Sequence, residues 1–179
     1  VIEEDFADLY AALREPVLAF AVRRVGREAA KDVVSETFEV AWRKRAEFPD
    51  DRTKWAAWIV GIAKNKVLQE LERRSRKHHD NRFTEDWLGP HPASTGEDVA
   101  RVVVDSDAGR RVYRALSPAE KLLFDVAFFR ELSPQDGAQV LGISTSAFTS
   151  RVNRLRQRLR ELQELDPPDN ASTSGGATR

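Results

Sequence analysis

The chain contains no cysteine and no methionine. Without thiols it can build no disulfide framework, no cysteine-ligated zinc site and no thiol nucleophile, and it suits a reducing compartment such as the cytoplasm. Histidine is scarce. His78, His79 and His91 all fall in one polar stretch, with no spacing that would set two metal ligands on one helix face. Glycine-rich phosphate loops and nucleophile turns are missing. Acidic pairs such as Asp50-Asp51 and Glu85-Asp86 sit in chain breaks, where solvated charge is the ordinary reading. No catalytic residue, metal or cofactor is therefore expected. No run of about 20 apolar residues occurs and no charged-then-apolar leader opens the chain, so neither a membrane span nor a signal peptide is expected. Lacking an initiator Met, the chain reads as starting after a cut. Strand-type alternation and internal repeats are also absent.

What is present is a soluble, globular composition, 41% hydrophobic and 32% charged, over 179 residues, enough for one domain or two small ones. The net charge of zero conceals segregation. Residues 1–77 carry 16 Lys/Arg against 14 Asp/Glu, and residues 110–165 carry 10 against 6. Between them residues 78–109 carry 2 against 7, and the tail 166–179 carries 1 against 2. Two mildly basic blocks flank an acidic bridge, an asymmetry that matters more than the sum.

The pattern predicts an all-α chain of two small helical domains, 1–77 and 110–165, joined by a flexible acidic linker, 78–109, and followed by a disordered tail, 166–179. In the first block Phe6, Leu9, Tyr10 and Leu13 form an amphipathic stripe. Pro16 is expected to open a second helix that Gly26 closes after Val25. Val34, Phe38, Ala41 and Trp42 stripe a third helix, and Pro49-Asp50-Asp51 breaks the chain. A fourth starts near Thr53, buries Trp55, Trp58, Ile59, Ile62 and Leu71, and ends in the basic run Arg73 to Lys77. In the second block Ser117-Pro118-Ala119-Glu120 reads as a capping box, and Leu122, Leu123, Val126 and Phe129 supply the apolar face behind it.

The most informative stretch is LSPQDGAQVLGISTSAFTSRVNRLRQRL, Leu132 to Leu159. Ser133 can cap a short helix with Pro134 in its first turn, Gly142 can supply a tight turn above Ile143, and Ser144 can cap a second helix. Phe148, Val152, Leu155 and Leu159 then recur at helical spacing, which turns Thr149, Ser150, Asn153 and Arg154 outward among Arg151, Arg156, Arg158 and Arg160. Short polar side chains for base edges and guanidinium groups for phosphates are what a DNA-reading helix-turn-helix requires. A helical hairpin with a solvated basic face is the plainer alternative.

The order of motifs resembles the bacterial sigma factors, above all the compact extracytoplasmic-function group of the sigma-70 family (group IV). DVVSETFEVAWR, Asp32 to Arg43, is similar to that family's D-L-V-Q-E-T-F-x-x-A-W, and WAAWIVGIAKN, Trp55 to Asn65, to its aromatic-x-x-W-L-x-x-I-A-x-N. LSPAEKLLF and the Leu132–Leu159 stretch resemble the family's fourth region. The resemblance covers about residues 4–77 and 110–162. It implies core RNA polymerase and promoter DNA as partners, and it admits an anti-sigma factor. It implies that Asp32, Ser35, Glu36 and Glu39 dock on polymerase, where opposite charge favours encounter. The loop Glu47 to Lys54 and the helix after it resemble the part that melts the promoter. Asn65 is then expected to pair with a −10 base, with Lys64, Lys66, Arg73, Arg74, Arg76 and Lys77 following phosphates. Thr149, Ser150 and Asn153 fall where the family reads the −35 element, and Arg151 and Arg154 are better suited to phosphates or polymerase. Trp55 and Trp58 are read as core, not as stacking platforms. The acidic linker resembles the segment that threads the polymerase RNA-exit path. Three departures stand out. Gly137 replaces a large aliphatic residue, which predicts a weakly packed helix. Gln69 stands where the family often has Asp, and Ser35 replaces Gln.

The competing reading is a free-standing helix-turn-helix regulator whose first block serves dimerisation or sensing. Both are binding proteins, and neither is an enzyme.

Overall fold

The computed structural model describes residues 3–77, 107–130 and 132–165. Its helices are α1 (Glu3–Arg43), α2 (Trp55–Lys77), α3 (Asp107–Ala115), α4 (Pro118–Ala127), α5 (Pro134–Leu141) and α6 (Thr145–Leu165), with short 3-10 turns at Arg45–Glu47 and Arg52–Lys54. Among the described residues there is no strand, and the all-α architecture is as expected.

A straight helix of 41 residues would be about 60 Å long. Yet the Phe6 ring lies 5.0 Å from Trp42, and Tyr10 lies 4.7 Å from Phe38. The chain therefore reverses at Gly26, whose φ of 77° and ψ of 168° belong to a region open in practice only to glycine. Pro16 does not open a helix; it lies inside the first arm of α1. An interior Pro costs about 3 kcal/mol. Leu13, Val17 and Phe20 flank it at no more than 2% exposure, and their burial holds the arm together across the missing hydrogen bond.

The second arm buries Ala30, Val33, Val34, Thr37, Phe38 and Ala41 at helical spacing. Thr37 satisfies its buried hydroxyl locally, donating from Oγ1 to the Val33 carbonyl at 2.6 Å. Against this hairpin α2 places Ile59, Val60, Ala63 and Val67, all fully buried. The expected stripe holds for Trp55 and Ile59, whereas Trp58, Ile62 and Leu71 are half-buried at its edge. Because α2 also carries α5, its buried surface is wider than one stripe and its centre is shifted.

In the second unit α3 was hidden in the sequence by its charges, although Gly109, Val112 and Tyr113 form its buried side. Residues 107–109 thus belong to a helix and not to the linker. The rest of the linker with its three histidines, and the tail, lie outside the described residues. All three expected caps form. Glu120 N donates to Ser117 Oγ at 3.2 Å while Ser117 N donates to Glu120 Oε2 at 2.8 Å. Asp136 N donates to Ser133 Oγ at 3.1 Å, and Ser133 N donates to Asp136 Oδ2 at 3.4 Å, a second capping box. Gly142 adopts the left-handed conformation at φ 66° and ψ 35°, and Ala147 N donates to Ser144 Oγ at 3.2 Å.

Gly137 does not leave α5 loosely packed. A Cβ at this position would meet Phe148 Cζ at 2.6 Å. The Phe148 ring of α6 fills the space that an aliphatic side chain would occupy, so the departure is a size exchange between two facing positions.

Candidate nucleic-acid interface

On α6 the buried stripe is Phe148, Val152, Leu155 and Leu159. Thr149, Ser150, Arg151, Asn153 and Arg154 are all exposed on the other side. Their contacts stay within the helix: Thr149 Oγ1 donates to the Thr145 carbonyl at 2.9 Å, and Arg154 Nε reaches the Ser150 carbonyl at 3.5 Å. Local bonds of this kind exchange readily for a groove or a phosphate.

Asp32, Ser35, Glu36 and Glu39 share an exposed strip on the second arm of α1. They do not stand apart from the basic face. Glu36 accepts a hydrogen bond from Lys66 Nζ at 2.8 Å, and Glu39 lies 3.8 Å from Arg43. On α2, Asn65 is exposed and Lys64 half-buried. Arg73 and Arg74 both bind Glu70, at 2.7 Å each. The hydrogen bond from Arg73, with help from Arg74 and against the effect of burial, pulls the Glu70 carboxyl down to about 2. Glu70 is therefore ionised at neutral pH, and one carboxylate faces two guanidinium groups with one positive charge left over. Arg76 pairs with Glu72 at 3.1 Å; the Lys77 side chain lies outside the described residues. The Arg76–Glu72 pair is exposed on both sides and worth about 0–1 kcal/mol, so it yields to phosphate at little cost, whereas the largely buried Glu70 holds Arg73 and Arg74 more firmly.

The loop before α2 is ordered by its own chemistry. Phe48 packs 4.4 Å from Trp58 and 5.2 Å from Trp55, and Trp55 Nε1 donates to the Pro49 carbonyl at 2.8 Å. Both tryptophans serve the core, as expected. Asp51 is more than solvated charge. Its Oδ1 accepts from Thr53 Oγ1 at 2.7 Å and from Thr53 N at 2.9 Å, bonds that lower its pKa and cap the turn Arg52–Lys54. Arg52 pairs with Asp5 and lies 5.0 Å over the Trp55 ring.

Among the described residues no group of three or more His, Cys, Asp or Glu could hold a metal, and no helix is long and apolar enough to cross a membrane.

Residues 9–77 match the family described as Sigma-70 region 2. The ECF RNA polymerase sigma factor RpoE of Cereibacter sphaeroides is 26% identical over 164 residues, covering 89% of this chain and 86% of the relative. The likeness thus runs through both helical units. Residues 9–77 belong to that family, and the chain as a whole is similar to extracytoplasmic-function sigma factors. A second relative, the RNA polymerase sigma factor NccH of Alcaligenes xylosoxydans xylosoxydans, is 28% identical over 157 residues, 81% of this chain and 80% of the relative. Among solved structures, RpoE of Bartonella quintana, crystallised with the anti-sigma factor NepR, superposes with a TM-score of 0.71 at 25% identity. That likeness covers 91% of this chain and 99% of the other. CnrH, solved with the cytosolic domain of CnrY, shares the fold with a TM-score of 0.63 at 22% identity, over 90% and 88% of the two chains.

Sequence reasoning missed several groups around these surfaces. Glu70 was legible in principle, since its spacing to Arg73 and Arg74 is that of helical ion pairs. Arg23 and Asp125, whose side chain is fully buried, join α1 to α4 at 2.7 Å, and Lys54 reaches Asp136 at 2.8 Å. No local pattern signals partners so far apart in the chain.

Proposed function

We propose that this chain is an extracytoplasmic-function sigma factor that binds core RNA polymerase through Asp32, Ser35, Glu36 and Glu39 and directs initiation at promoters read by its two helical units. Residues 1–77 act as region 2, with Asn65 reading a −10 base and Lys64, Lys66, Arg73, Arg74, Arg76 and Lys77 tracking the strand. Residues 110–165 act as region 4, with Thr149, Ser150 and Asn153 reading −35 bases and Arg151 and Arg154 holding phosphates. The carrying observation is a Sigma-70 region 2 match in a chain whose last helix exposes short polar residues opposite a fully buried stripe. The protein acts as an initiation factor and not as a catalyst, in the cytoplasm where polymerase and DNA meet. Strand opening draws on binding energy to the unpaired strand, without ATP or metal. An anti-sigma factor is a further proposed partner, supported by the likeness to the RpoE crystallised with NepR. Co-elution of the full chain with purified core polymerase tests the reading. A free-standing regulator would bind duplex DNA alone and ignore the enzyme.

Asn65→Ala is expected to relax preference at one −10 position while leaving polymerase binding intact, at a cost of about 1–3 kcal/mol for one bidentate base contact. Selection from a promoter library checks this, and an unchanged −10 preference would make Asn65 a surface amide only.

On α6 the division of labour is testable in a single experiment. Asn153→Ala is expected to change which −35 sequence is preferred. Arg154→Ala should weaken all sequences alike and lower the salt slope by about one unit. Holoenzyme binding to −35 variants at several salt concentrations separates the two patterns. An Arg154 variant with altered preference beside an unaltered Asn153 variant would reverse the assignment.

A further inference from the structure

The loop between α1 and α2, residues 44–54, has only two short 3-10 turns of its own. A segment with so little repeating structure takes its shape from what anchors it. The core anchors its inner side: Phe48 is 9% exposed and packs on Trp55 and Trp58, and Trp55 Nε1 donates to the Pro49 carbonyl. Two consecutive residues at the start of α1 anchor its ends.

Phe6 meets the entry. Its ring stands edge-on to Trp42 at 5.0 Å. The Arg45 guanidinium lies 4.5 Å from the centre of the same Trp42 ring, and Arg45 Nη1 donates to the Trp42 carbonyl at 3.0 Å. Asp5 meets the exit, where its carboxylate pairs with Arg52. The Arg52 guanidinium also lies 5.0 Å over Trp55, so an anion and a ring together fix a cation whose side chain is still 65% exposed.

Helix-end electrostatics does not account for the place of Asp5. Glu3, Glu4 and Asp5 all stand in the first turn of α1, where negative charge is favoured. Glu3 and Glu4 meet that need while exposed to solvent. The Asp5 side chain is only 20% exposed, and a carboxylate gives up water only for a partner already in place.

We propose that Asp5 is a positioning residue for strand opening. With Phe6 it sets both ends of the 44–54 loop against α1, so the loop is already shaped when it meets the duplex. Preorganisation of this kind removes an ordering cost from the step in which the loop engages the strand. This rests on the reading of Glu47 to Lys54 as the loop that opens the promoter.

The test uses the full chain assembled with core polymerase, on a promoter recovered from a library randomised at the −10 and −35 positions. 2-Aminopurine within the −10 element reports opening by stopped-flow fluorescence. Asp5→Asn is expected to open the duplex roughly threefold more slowly, the scale of a partly exposed ion pair. On the same promoter with the −10 segment already unpaired it should match the unaltered chain, and its affinity for core polymerase should be unchanged. Asp5→Glu should restore most of the rate. Glu4→Gln, which removes a charge from an exposed position of the same turn, should have no effect. In an Arg52→Gln chain, Asp5→Asn should slow opening no further.

Opening at the unaltered rate by Asp5→Asn would overturn the proposal. Equal losses on closed and unpaired templates, or weaker polymerase binding, would also overturn it and make Asp5 a residue of fold stability alone. Slowing by Asp5→Asn that persists in the Arg52→Gln chain would do the same. If the unaltered holoenzyme opens no template from the library, the proposed function itself falls, and this inference with it.

Discussion

Replacing Gly137 with leucine is expected to destabilise the second helical unit and abolish binding to −35 DNA. On helix propensity alone the change would help, since Gly is about 0.8–1.0 kcal/mol worse than Ala in a helix interior and Leu is close to Ala. The site has no room for it. The first carbon of the new side chain would stand 2.6 Å from the Phe148 ring, whose side is buried against the rest of the unit. Overpacking of this kind typically costs about 1–3 kcal/mol, and a rigid aromatic neighbour puts the cost at the upper end. Phe148→Ala alone leaves a cavity, at about 3–5 kcal/mol. The double variant, with leucine filling the space of the lost ring, should be more stable than the Phe148→Ala chain. Thermal unfolding by circular dichroism across the four chains measures the coupling. A Gly137→Leu protein as stable as the wild type would show that α5 and α6 are not packed as described.

Glu36→Arg is expected to cost polymerase binding about 2–4 kcal/mol, in the range for a desolvated interfacial charge pair truncated on one side. The change also places a cation against Lys66, whose Nζ now sits 2.8 Å from Glu36, so part of the loss reflects local repulsion. Glu36→Gln separates the two, because it removes the charge without reversing it and should lose less. Affinity for purified core polymerase by titration, with circular dichroism to confirm the fold, decides the matter. Assembly at wild-type affinity in both variants would take the docking strip off α1.

The periodic elements were legible in the sequence because their cause is local. The α6 stripe and the Ser117, Ser133 and Ser144 caps follow from spacing and short-range hydrogen bonding, and the structure has them at the expected residues. Pro16 misled because tertiary packing overrode its preference for a helix start. Gly137 misled because its partner lies in the next helix, beyond any window of local pattern. The candidate site residues could be assigned to their helices from spacing, yet their environment could not. That Lys66 faces Glu36, that Glu70 holds Arg73 and Arg74, and that Lys64 caps α5 all depend on how α1, α2 and α5 meet. The contact between the two units was also invisible. The acidic stretch suggested only a tether, whereas Arg23–Asp125 and Lys54–Asp136 bring the units together.

The most direct test is run-off transcription by purified core RNA polymerase with and without this chain, on a library randomised at the −10 and −35 positions. The expected result is transcription from a defined start only when the chain is present, from templates sharing one −10 and one −35 sequence. In the same assay the −35 preference should shift with Asn153→Ala and the −10 preference with Asn65→Ala. Core polymerase that starts no differently with the chain present, while the chain binds duplex DNA on its own, would contradict it and point to a free-standing regulator.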